Sequence, residues 1–207
     1  MLPRAKLCIF CILFFEVIFA FGICSAQIDV SDMYQEALWV NLDLPPEQQD
    51  QIDRIIVAAS RQVKAVQSKQ QIGGLYKFND LYSYADSLSQ IKEIRMETNE
   101  RIMQLLSPRE RVLFEDQSEE SQRLTEKYMM LILELDLTEN QQTAIINSLI
   151  KSQQQVWSIV SDTSIPWEKR RQKIKRVNAL ELISGQLTKN QRLLWKTWNK
   201  SLNLINL

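Results

Sequence analysis

The chain has 207 residues, enough for one large domain or two small ones, and its 45% hydrophobic and 24% charged residues exclude a disordered or fibrous class. Its 25 basic and 25 acidic side chains cancel, which argues against a nucleic-acid partner. Histidine is absent, so the commonest general base and the commonest transition-metal ligand are missing together.

Residues 1–26 read as a signal peptide. Arg4 and Lys6 form a short basic start, Leu7 to Phe21 is apolar except for Glu16, and Cys24-Ser25-Ala26 places small residues at a cleavage site. The alternative is an uncleaved anchor, since Leu7 to Ala26 approaches the ~18 apolar residues that span a bilayer. Glu16 in mid-span weighs against it, because a charge there is costly. A lipid anchor on Cys24 is disfavoured by Ile23, where a small residue is expected. The expected location is periplasmic or secreted, or, with the segment retained, membrane-anchored and facing the periplasm. Cys8, Cys11 and Cys24 all lie in this leader, so the remainder has no thiol for a disulfide and must be held by helix packing. Beyond it only carboxylates, amides and Met33, Met96, Met103, Met129 and Met130 could bind a metal, and neither a zinc nor a copper site is expected.

From Gln27 onward, proline and glycine are sparse and act as punctuation. Pro45, Pro46, Pro108 and Pro166 suit first helical turns, and Gly73, Gly74 and Gly185 suit helix ends. Between them apolar residues recur at three-and-four spacing: Ile52, Ile55, Ile56, Ala59, Val63, Val66; then Leu81, Ala85, Leu88, Ile91, Ile102, Leu105; then Ile145, Leu149, Val156, Val160. The spacing predicts helices near 31–41, 46–70, 76–106, 108–134, 139–161, 166–184 and 189–204. The predicted class is all-α, built of tandem long helical hairpins.

The chain also repeats itself. Leu42-Asp43-Leu44-Pro45-Pro46-Glu47-Gln48-Gln49 matches Leu135-Asp136-Leu137-Thr138-Glu139-Asn140-Gln141-Gln142, 93 positions later. Leu106-Ser107-Pro108-Arg109-Glu110-Arg111-Val112-Leu113-Phe114 matches Leu187-Thr188-Lys189-Asn190-Gln191-Arg192-Leu193-Leu194-Trp195, 81 positions later. The shorter second offset puts about a dozen extra residues in the first unit, within Ser68 to Gln90, where Gly73-Gly74 marks a bend. Two hairpin units follow, 27–127 and 128–207, with Pro108 to Glu134 as a bridging helix. The first unit carries 18 acidic against 12 basic residues, a balance of −6, and the second 6 against 11, a balance of +5. Such complementarity favours head-to-tail pairing or intramolecular closure, within the ~8 Å reach that salt allows.

Four sites share leucine, then Thr, Ser or Pro, two variable residues, then Gln or Glu. This is the pattern of a capped helix start, in which the hydroxyl accepts from the backbone N–H three residues on and the Gln or Glu reaches back to the cap. Leu106-Ser107 with Glu110, Leu137-Thr138 with Gln141 and Leu187-Thr188 with Gln191 fit it fully; Leu44 with Gln48 lacks the hydroxyl because Pro45 stands there. The paired motif resembles the Spy/CpxP family of periplasmic proteins, whose signature is a repeated Leu-Thr-x-x-Gln in an all-helical, signal-bearing chain. Leu137 to Gln141 and Leu187 to Gln191 match it residue for residue, and the likeness extends over 37–204. The resemblance implies an ATP-independent chaperone or envelope-stress protein that binds unfolded or stress-related proteins, without cofactor or catalysis. Alternatives are a regulatory accessory that docks on a membrane sensor's periplasmic domain, and a structural envelope protein held by its N-terminal helix.

Two surfaces stand out as candidate partner contacts. Lys169, Lys173 and Arg176 share one face by three-and-four spacing within the cluster that begins Lys169-Arg170-Arg171. Trp198 is the tryptophan best suited to face a client, because Trp195 aligns with Phe114 as a repeated framework position. The acidic stretch Glu115-Asp116 with Glu119-Glu120 lacks the glycine turn of a calcium loop.

Overall fold

A computed structural model describes residues 34–69, 71–72, 75–76 and 81–205. The expected signal peptide, with Cys8, Cys11 and Cys24, and the bend expected at Gly73-Gly74 lie outside the described residues. The described chain is helical apart from one short ladder: α1 (Gln35–Trp39), α2 (Pro46–Lys69), β1 (Gln71–Ile72), β2 (Leu75–Tyr76), α3 (Leu81–Met103), α4 (Pro108–Leu133), α5 (Glu139–Val160), α6 (Trp167–Ile174), α7 (Ala179–Gln186) and α8 (Lys189–Ile205). None of the described helices is long and apolar enough to cross a membrane.

Two departures from the periodicity have local causes. Residues 75–76 pair antiparallel with 71–72, Gln71 opposite Tyr76 and Ile72 opposite Leu75, so Tyr76, where the spacing predicts a helix start, belongs to a ladder, and α3 is described from Leu81. The helix expected over 166–184 is two helices, because Asn178 accepts a hydrogen bond from the Glu181 N–H at 3.0 Å and starts α7 afresh. The break lets Val177 turn into the core beside Ile174.

The apolar stripe of α2 buries Ile52, Ile56, Ala59 and Val63, with Ile55 and Val66 half-buried at its margins. Fully burying an aliphatic side chain of this kind contributes about 1.5–3 kcal/mol, and such contacts hold the described residues, which contain no cysteine. Two apolar clusters result. The first holds Trp39, Ile52, Ile91, Ile102, Phe114, Val156, Trp157, Trp167 and Ile174. The second holds Tyr84, Tyr128, Ile132, Ile145, Ile150, Ile183 and Trp195.

Three long helices run from one cluster to the other in alternating directions. Going up the chain, α3 passes from Tyr84 in the second to Ile102 in the first, α4 from Phe114 in the first to Ile132 in the second, and α5 from Ile145 in the second to Val160 in the first. Helices α1, α2 and α6 complete the first cluster, and α7 and α8 complete the second. Each cluster therefore draws on both sides of the 127/128 division, which falls inside α4.

Candidate functional site

The four motif sites all start helices. Ser107 Oγ accepts from Glu110 N while Glu110 Oε2 accepts from Ser107 N at 2.8 Å, a reciprocal pair that also forms between Thr138 and Gln141 and between Thr188 and Gln191. Hydrogen bonds from Ser107 hold the Glu110 carboxyl below its ordinary pKa. At the first site the Pro45 carbonyl accepts from the N–H groups of Gln48 and Gln49, both at 3.0 Å, in place of a side-chain cap. Leu44, Leu106 and Leu187 are buried, and Leu137 is half-buried against the second cluster.

The motif glutamines also reach across to the paired motif, which the spacing did not reveal. Gln48 Nε2 donates to the Leu105 carbonyl at 3.3 Å, and Gln141 Nε2 donates to the Gln186 carbonyl at 2.9 Å, the same register in each unit. Gln191 Nε2 returns the contact, with the Leu135 carbonyl at 3.1 Å and the Asp136 carbonyl at 3.2 Å. Glu110 occupies the corresponding place in the first unit and, as a carboxylate, has no N–H to offer a carbonyl.

The concave site lies elsewhere. A groove of about 870 Å³ opens between α3, α4, α5 and α7, with Tyr34 at one margin. It exists because α4 packs mainly on α1 and α3, whereas α5 packs mainly on α7, α1 and α6, leaving the faces of α4 and α5 apart near the second cluster. Tyr84, Leu88, Lys92 and Arg95 follow one face of α3; Thr125, Met129 and Leu133 follow one face of α4; Leu149, Ser152 and Gln153 come from α5. The floor is apolar and the rim charged.

At the rim Lys92 Nζ lies 3.7 Å from Glu126 Oε1, with both side chains more than half exposed, so the pair contributes at most about 1 kcal/mol and opens readily. Deeper in, Arg95 Nε donates to Glu36 Oε1 at 2.6 Å; Glu36 is buried, and its Oε2 has no hydrogen bond within the described residues. Burial raises the Tyr34 hydroxyl to about 12, helped by the nearby Glu36 carboxylate and opposed by Ser152 and the Ala179 backbone. Burial alone raises Tyr128. The groove thus offers apolar contact, amides, hydroxyls and a mixed-sign rim, a surface suited to non-covalent binding. Among the described residues no three His, Cys, Asp or Glu side chains are grouped to hold a metal ion.

The surfaces singled out by sequence lie apart from each other. Lys169 and Lys173 are exposed on α6, which packs into the first cluster, while Arg176 is exposed in the turn after α6 ends rather than on the helix. Arg170, from the same cationic run, is buried. Trp198 is half-buried against the second cluster. One sequence signal did point to the groove: Tyr128-Met129-Met130-Leu131-Ile132-Leu133 is apolar on every side of its helix, more than a single core-facing stripe can bury. Met130 accordingly remains 58% exposed.

Comparison of the chain with protein-family models, with curated proteins and with solved structures finds no match.

Proposed function

We propose that this protein holds apolar stretches of other polypeptides without chemistry, as an ATP-independent chaperone-like or envelope-stress protein of the Spy/CpxP type, its two repeats being tandem hairpins of that design. The leader-like first 26 residues support export to a periplasm or beyond. The carrying observation is the groove, whose wall combines Met129 and Met130 with Leu88, Leu133 and Leu149. Methionine is unbranched and polarisable, so such a wall adapts to dissimilar apolar segments better than β-branched residues do. The client is an unfolded segment with apolar side chains, oriented by the rim charges of Lys92 and Glu126.

The test is the aggregation of a chemically denatured client followed by light scattering with the full chain present. Suppression near equimolar ratio, weakened by Met129→Asp and by Leu133→Asp in variants that keep their helical signal, is the expected result. No suppression at about tenfold excess overturns the reading. Stoichiometric capture of one folded sensor domain, with no effect on aggregation, would favour a regulatory accessory instead.

A further inference from the structure

The second and fourth motifs are followed by equivalent helix starts, Arg111-Val112-Leu113-Phe114 and Arg192-Leu193-Leu194-Trp195. The last residue of each is a core anchor, Phe114 at 1% and Trp195 at 3% exposure. The two residues before it are not: Val112 is 56% exposed, Leu113 53%, Leu193 67% and Leu194 49%. One exposed leucine is ordinary on a protein surface. Two adjacent ones, at the same register of both repeats, make a duplicated apolar patch that core packing does not explain.

The flanking charges are opposite. Around Val112, Glu115, Asp116 and Glu119 stand exposed three, four and seven residues on, along the same helix face, and outnumber the exposed cations Arg109 and Arg111 that precede it. Around Leu193, Lys189, Lys196 and Lys200 stand exposed four before, three after and seven after. Glu115 and Lys196 hold equivalent positions in the repeat, as do Glu119 and Lys200. In net sign each patch is therefore the complement of the other, built on an equivalent apolar centre.

They do not meet within one molecule. Phe114 anchors the first patch in the first cluster, whereas Trp195 packs on Tyr128, with ring centroids 5.8 Å apart, in the second. Phe114 and Tyr128 lie on one continuous helix, α4, at a separation of roughly 21 Å by helical rise. We infer that copies of this chain associate head to tail, with Val112-Leu113 and their carboxylates on one copy seated against Leu193-Leu194 and their lysines on the next. Such a contact uses two different patches, so it builds rings or open chains instead of a closed twofold dimer. Its apolar centre is smaller than that of a standard interface of about 800 Å² per partner, so the association is weak and sensitive to salt.

Sedimentation velocity on the full chain, under reducing conditions that keep the leader thiols from cross-linking, tests this directly. The sedimentation coefficient of the unaltered protein is expected to rise with concentration and to fall back when salt is added. Glu115→Lys with Glu119→Lys, and separately Lys196→Glu with Lys200→Glu, each weaken association by about tenfold or more. Mixing these two variants, or combining all four substitutions in one chain, restores it. A chain that stays monomeric at all concentrations, association unmoved by either swap, or failure of the mixture to recover overturns the inference. Circular dichroism of each variant separates loss of association from loss of fold.

Discussion

Asp53 and Arg170, 117 residues apart in sequence, meet in a two-pronged ion pair with Nη1–Oδ1 at 2.6 Å and Nη2–Oδ2 at 2.8 Å. Arg170 is fully buried and spends its other donors on the carbonyls of Ile165 and Val160, while Trp167 Nε1 also donates to Asp53 Oδ1 at 3.0 Å. Four of the five guanidinium N–H donors are matched, and the pair ties α2 to α6. Asp53→Asn would leave the guanidinium buried without a counter-charge, and such a loss costs about 3–5 kcal/mol. Replacing both, Asp53→Leu with Arg170→Met, removes the charge problem and should cost clearly less. Urea denaturation of the two variants checks this; equal stability of the single and double variants would refute it.

Asp136 has φ of 48°, the left-handed region, in the link between α4 and α5, and its carbonyl is held by Gln191. Asp136→Val should destabilise by about 1–2 kcal/mol because a β-branched side chain crowds the following carbonyl there. Asp136→Gly should cost nothing comparable, since glycine adopts this conformation freely. The denaturation midpoints of the pair decide the matter, and a Val variant as stable as the Gly variant would count against a strained link.

Gln191 and Glu110 align in the repeat yet bear different loads. Gln191→Glu replaces an amide donor with a carboxylate facing the Leu135 and Asp136 carbonyls, and should cost about 1–3 kcal/mol. Glu110→Gln keeps the cap to the Ser107 N–H and should change stability little at neutral pH. In acid they diverge again. Because the folded pKa of Glu110 is depressed, its contribution is present above the ordinary carboxylate value and is lost as pH falls through the folded one. Thermal melts of the unaltered chain and of Glu110→Gln between neutral pH and acid measure this, since the acid-sensitive component should be absent from the variant.

Tyr34 should titrate near the value of about 12 to which burial raises it from 10.0. The raised folded pKa means its contribution to stability is intact below pH ~10 and disappears as pH climbs through the folded value. Tyrosinate absorbance of the unaltered chain should contain a late component that Tyr34→Phe lacks. Superimposable curves would show that the hydroxyl is not buried in this way.

Helix starts were legible residue by residue. Thr138 with Gln141 and Ser107 with Glu110 announce themselves because a cap is a contact over three positions, and the stripe from Ile52 to Val63 because helical period is likewise local. Less legible was the break at Asn178: the cationic run before it has no proline or glycine, and the local cap on Glu181 acts together with the burial of Val177 and Ile183 in different clusters. The choice of Trp198 rested on its alignment with no framework partner, which says nothing of the second cluster it leans on.

Read alone, the amino-acid order contains the repeat, the capped beginnings and the opposed charges of Glu115 and Lys196, since each depends on residues counted along one strand of covalent bonds. The groove, the shared cores and the Asp53–Arg170 tie depend on which helix faces come to rest against each other. That is a balance of burial among side chains up to 117 positions apart, and no spacing within a single helix encodes it.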